Sequence, residues 1–177
     1  MYRIALLVLL GLAPPLFSQA LPTASRSADV QVGIGYAVGR PDYGHRTIPG
    51  LSVYADIDLR PHLGGEVEFH SIADTSGSQM AERTYELGAR YFRSYDAFVP
   101  YAKAMLGLGQ LRYPQGLTTL DYSIFAGGAG ADFKLSDRIY LRGEYEYQHW
   151  NGFANGGLHP QLVTFAIAYH FPGRLRR

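Results

Sequence analysis

Residues 55–69 read Ala55-Asp56-Ile57-Asp58-Leu59-Arg60-Pro61-His62-Leu63-Gly64-Gly65-Glu66-Val67-Glu68-Phe69. A carboxylate falls on every second position on both sides of the turn at Pro61-His62, with apolar residues between. Side chains of a β-strand alternate faces with a period of two, so each arm is a strand with one charged and one apolar face. The pattern returns in Ala131-Asp132-Phe133-Lys134-Leu135 and, after a turn two residues longer, in Gly143-Glu144-Tyr145-Glu146-Tyr147. Alternation alone does not say which face points out. A soluble sandwich turns its charges to water, whereas a membrane barrel turns them inward.

The N-terminus bears on that choice. Met1-Tyr2-Arg3 is a short basic start, Ile4 to Phe17 an apolar stretch broken by Gly11, Pro14 and Pro15, and Ser18-Gln19-Ala20 a small-residue cleavage site. This predicts a cleavable signal peptide over 1–20, followed by a single domain over 21–171 and a short basic tail over 172–177. With Arg3 removed, 15 basic residues face 15 acidic ones, a balance that points to no nucleic-acid partner. The chain has no cysteine, so an exported domain of this size must be held by its core or by a membrane.

Strand patterns run through the rest. Eight are expected: 28–39, 50–60, 63–73, 81–93, 98–111, 119–134, 138–150 and 158–171. All reach the nine to eleven residues that a tilted strand needs to cross a bilayer. The connections at 60–63, 93–97 and 135–138 are tight, while those at 40–49, 74–80, 112–118 and 151–157 are longer and rich in Gly, Pro and Asn. Short turns at one end and long loops at the other are the arrangement of outer-membrane barrels.

Parity decides the facing. Val30, Val32, Ile34, Tyr36 and Val38 share a face opposite Gln31, Gly33, Gly35 and Ala37; Leu51, Val53, Ala55, Ile57 and Leu59 oppose Ser52, Tyr54, Asp56, Asp58 and Arg60. An eight-stranded barrel has an interior only wide enough for its own side chains, and bulky apolar rows from every strand do not fit there. The small and charged residues go in, and the apolar rows look outward to lipid. The fold class expected is an all-β, eight-stranded antiparallel up-and-down transmembrane β-barrel. Tyr36, Tyr91, Tyr101, Tyr147, Trp150, Tyr169 and Phe171 lie near strand ends, where aromatic side chains favour the membrane boundaries.

With these residues in view, the chain resembles the small eight-stranded outer-membrane barrels, the porin-like family that includes outer membrane protein A and its shorter relative X. The final strand carries the resemblance most clearly. Val163, Phe165, Ile167, Tyr169 and Phe171 look like the C-terminal signal that the barrel-insertion machinery reads, although this chain continues through Pro172 to Arg177. The resemblance implies a place in the outer membrane of a Gram-negative envelope and contact with its lipid and lipopolysaccharide. It also implies handling by periplasmic chaperones and the barrel-assembly machinery. Members that deacylate lipid A use a His with a Ser two residues on; here His149 is followed at that place by Asn151, which has no hydroxyl to activate. No enzymatic activity is therefore expected.

The charged faces are expected to form an interior structural network of Asp56, Asp58, Arg60, Glu66, Glu68, Glu86, Arg90, Lys103, Asp132, Lys134, Arg142, Glu144 and Glu146, with carboxylates in excess and His70 or His170 as further partners. A glycosidase-type acid–base pair is the competing reading of the Glu-x-Glu spacing. His45, His62, His70, His149, His159 and His170 show no ligand spacing, and the Gly127-Gly128-Ala129-Gly130 run lacks the Lys-Ser/Thr of a phosphate loop, so neither a metal nor a cofactor is expected. The loop from Trp150 exposes that residue and Phe153 as candidate contacts for an external partner or as lipid anchors. The role expected is structural or surface-interacting, against a narrow pore, a lipid A-modifying enzyme or a soluble periplasmic barrel.

Overall fold

A computed structural model describes residues 29–42, 47–74, 80–112, 119–152 and 156–171. The expected signal segment 1–20, Phe153 and the tail 172–177 lie outside the described residues. The strands are β1 (Asp29–Arg40), β2 (Ile48–Arg60), β3 (Leu63–Ala73), β4 (Ala81–Phe92), β5 (Phe98–Arg112), β6 (Thr119–Lys134), β7 (Ile139–Asn151) and β8 (Gln161–Phe171). Each pairs antiparallel with its sequence neighbours, and β8 returns to β1, closing the barrel without a free edge.

The closing seam matches the outward row of β8 to that of β1: Val30 opposite Phe171, Val32 opposite Tyr169, Ile34 opposite Ile167 and Tyr36 opposite Phe165. Both rows are solvent-exposed in the isolated chain, Phe165 at 65% and Tyr36 at 58%. The shortest strands have 11 residues. At about 3.3 Å per residue and a tilt of about 40°, such a strand rises roughly 28 Å, enough for an apolar band about 25 Å tall.

The tight turns follow from local chemistry. Tyr95 and Phe98 exchange backbone hydrogen bonds of 2.8 and 3.0 Å across Asp96-Ala97, and Asp96 takes a left-handed φ of 54°. An aspartate tolerates that region better than bulkier residues do, which suits it to a two-residue hairpin. The long connections all fall at the other end of the barrel, so the two rims differ in kind.

Inside, glycines make room for large neighbours. A Cβ on Gly33 would stand 2.3 Å from the Tyr54 ring. Gly128 lies against the Lys103 stem and Gly130 against the Tyr101 ring. The glycine-rich stretch of β6 thus clears space for two inward side chains of β5.

Candidate functional site: a packed ionic lumen and a loop-end rim

Along β7, the inward side chains run Arg142, Glu144, Glu146, Gln148 and Trp150 from the turn end to the loop end, all buried. They mark successive layers of the lumen. At the turn end, Arg142 and Arg90 clasp Asp132 and Asp56. Arg142 reaches Asp132 through Nε at 2.7 Å and Nη2 at 3.1 Å and donates to Glu66 at 3.1 Å, while Arg90 Nη2 donates to Asp132 at 2.9 Å. Both arginines also pair with Asp56. The Arg142 guanidinium sits 3.7 Å from the Tyr54 ring centroid, and that of Arg90 sits 4.5 Å from Tyr101. A planar, delocalised cation is suited to such a place, since it can bond carboxylates in its plane and stack on rings above it.

In the next layer, the Lys103 ammonium touches four carboxylates: Glu66 at 2.9 Å, Glu144 at 2.7 Å, Glu146 at 2.8 Å, and Glu68. Glu66, Glu68 and Glu144 bring oxygens within 4.8 Å of one another, a spacing that could hold a cation, and Lys103 supplies one. The Tyr101 hydroxyl donates to Glu144. Nearer the loops, His70 lies 3.0 Å from Glu68 and 3.6 Å from Glu86, and Ser52 donates to Glu68 at 2.9 Å. Gln148 donates to Glu86 and Glu146, both at 2.8 Å, and its carbonyl accepts from the Trp150 indole at 2.8 Å. Through that one amide the ionic stack meets an apolar cap of Trp150, Met105, Leu111, Ile124 and Ala126.

Ten of the expected network residues are buried in the lumen: Asp56, Glu66, Glu68, Glu86, Arg90, Lys103, Asp132, Arg142, Glu144 and Glu146. Asp58 is half-buried. Three placements correct the sequence reading. Arg60 is exposed, because the β2–β3 register shifts between Asp58 and Arg60 and parity no longer carries its side chain inward. Lys134 ends β6 beyond the Asp132 layer and pairs with Asp137 of the turn at 2.9 Å; it does not enter the lumen. This hydrogen bond holds the Asp137 carboxyl below the ordinary carboxylate range. Trp150 is neither a loop contact nor a lipid anchor: only 1% exposed, it shares the inward parity of Glu144, Glu146 and Gln148. Tyr101 is likewise inward, while Tyr36, Tyr91, Tyr147, Tyr169 and Phe171 face out.

At the loop end, the outer surface brings together residues that sequence spacing keeps apart. His149 and His159 place their Nδ1 atoms 3.2 Å apart, and the Tyr147 hydroxyl lies 2.8 Å from His159 Nδ1. Asn151, at the place of the deacylase serine, is exposed and donates to the Ser123 carbonyl at 3.4 Å. Val163, Phe165, Ile167, Tyr169 and Phe171 form the outward row of β8.

A closed eight-stranded barrel with an apolar outer wall and an ion-paired interior defines a small outer-membrane β-barrel protein. The chain belongs to the outer membrane protein beta-barrel domain family, whose model matches residues 4–171. Neisserial surface protein A is similar in structure, with a TM-score of 0.65 at 14% identity, covering 81% of this chain and 97% of its own. So are OprG from Pseudomonas aeruginosa, with a TM-score of 0.60 at 13% identity over 82% and 97% of the two chains, and Ail, the attachment invasion locus protein of Yersinia pestis, with 0.57 at 16% over 81% and 99%. At these identities the likeness is one of fold. No curated protein matches the chain.

Proposed function

We propose that the protein is a non-enzymatic, non-conducting outer-membrane barrel that presents its loop end to the outer leaflet and to partners outside the cell. The lumen carries this reading. Three buried cations, Arg90, Lys103 and Arg142, cross-link carboxylates from strands on opposite sides, and the Trp150 cap covers the stack. A water column would have to displace paired charges, and leaving a buried charge without its partner costs about 3–5 kcal/mol. Function then falls to the rim. Arg40, Arg83 and Arg112 are exposed near the loop ends of β1, β4 and β5, where lipopolysaccharide phosphates would be favourable partners. Ail has been crystallised with the heparin analogue sucrose octasulfate, a polyanion, and a comparable polyanion is the kind of external partner this rim suits.

In this reading, residues 1–20 direct export and are removed, and the row from Val163 to Phe171 is read by the assembly machinery after delivery by periplasmic chaperones. The deciding experiment inserts the refolded protein into planar bilayers. No stepwise conductance is expected, and steady unitary currents would replace this proposal with a pore. Lipid A from cells with and without the protein should have the same mass spectrum; a lost or added acyl chain would make the protein an enzyme.

A further inference from the structure

We propose that the loop-end rim carries a surface site for a late first-row divalent cation, held by Nδ1 of His149 and Nδ1 of His159. This goes beyond the sealed-barrel reading and does not depend on it. His149 projects from the outward face of β7, and His159 lies on the returning segment just before β8. Backbone bonds pin that return. Trp150 and Leu158 exchange hydrogen bonds of 2.9 and 3.1 Å, and Gln148 N–H donates to the Pro160 carbonyl at 2.9 Å. Gly157, at a φ of 102°, closes the path so tightly that a Cβ there would stand 2.8 Å from His149 Cε1. The fold therefore holds the two imidazoles together, with ring centroids 4.7 Å apart.

The separation fits chelation. Two nitrogens bound to one tetrahedral cation at 2.0–2.1 Å stand about 3.3–3.4 Å apart, and these Nδ1 atoms are 3.2 Å apart. Both residues are half-buried, fixed by packing yet open to solvent. The surroundings suit a cation. Tyr147 stacks on His159 at 5.8 Å, and the Asp42 carboxylate, accepting from the His159 backbone N–H at 3.3 Å, adds negative charge from the β1–β2 connection. Each Nδ1 binds through its lone pair, so an imidazole that carries its proton on Nδ1 adopts the Nε2–H tautomer, the Tyr147 hydroxyl hydrogen turns away, and both lone pairs face the metal. Neutral imidazoles select Cu²⁺, Zn²⁺ or Ni²⁺ over Mg²⁺ and Ca²⁺.

The test titrates Cu²⁺ and Zn²⁺ into the untagged full chain folded in detergent micelles, by calorimetry and by Cu²⁺ electron paramagnetic resonance. The wild type should show two coordinated nitrogens. His149→Ala and His159→Ala should each leave one nitrogen and weaken binding roughly 100-fold, the gain expected from a second tethered ligand. Gly157→Ala keeps both ligands but crowds His149 and should also weaken binding. His62→Ala, at the opposite rim, should change nothing. Heat-modifiable gel mobility reports whether each variant is folded. Wild-type affinity and nitrogen count in folded His149→Ala and His159→Ala would overturn the proposal, and so would an equal loss in His62→Ala.

Discussion

Replacing Lys103 by methionine removes the cation shared by four lumen carboxylates while keeping most of the apolar stem. The side chain is fully buried, as are those of Glu66, Glu68, Glu144 and Glu146, so water is not at hand to take over. Oxygens of Glu66, Glu68 and Glu144 lie within 4.8 Å of one another. At an effective dielectric of about 20, two ionised carboxylates at that distance repel by roughly 3.5 kcal/mol. The barrel can limit the cost by protonating one or more of them, so the expected loss is that of breaking a buried ion pair, about 3–5 kcal/mol. The protein has a single tryptophan, Trp150, packed in the cap above this layer. Its emission in a reversible urea titration from lipid vesicles therefore reports the interior directly. Adding Glu144→Gln and Glu146→Gln to Lys103→Met should recover part of the loss by removing two of the facing charges. A loss below about 1 kcal/mol in Lys103→Met would refute the reasoning, because a buried ion-pair hub cannot be that cheap to remove.

Four further outcomes are expected. Trp150→Ala should lower stability by about 3–5 kcal/mol through the cavity left in the cap, read as a lower temperature for the heat-modifiable gel shift; an unchanged shift would place Trp150 outside the core. Gly33→Ala should cost about 1–3 kcal/mol because its Cβ would enter the Tyr54 ring. Gly127→Ala, whose Cβ would meet nothing within 4 Å, should be close to neutral in the same unfolding assay. Asp137 should titrate below the ordinary carboxylate range by NMR and return to it in Lys134→Met. Because its folded pKa is depressed, the small stabilisation is present above the unfolded value of about 3.9 and is lost as pH falls through the folded value.

The outward rows were legible because alternation is imposed by strand geometry and the narrow interior leaves one solution for bulky side chains. Parity fails where its premise fails. Arg60 lies across a register shift and Lys134 at a strand end where Asp137 and water are nearer than the lumen. Trp150 is the opposite case: the parity of Glu144 to Gln148 places it inward, and the Asn-Gly that follows gave it the look of a loop residue. Partner choice lay beyond the sequence altogether. Lys103 on β5 reaches Glu66 and Glu68 on β3 and Glu144 and Glu146 on β7, pairings fixed by how the closed barrel staggers its strands.

The same limit explains the histidine pair. Spacing rules for metal ligands assume that one strand or helix supplies both donors, as in His-x-His. Here the donors are ten residues apart and meet because the chain folds back over Gly157 and pairs Leu158 with Trp150. That bridge links the two functions assigned to this end of β7. Trp150 turns inward to the apolar cap, and its neighbour His149 turns outward to the rim, because adjacent strand residues face opposite sides. The packed interior thus fixes the backbone on which the rim is built, while neither side chain of the pair has to serve both.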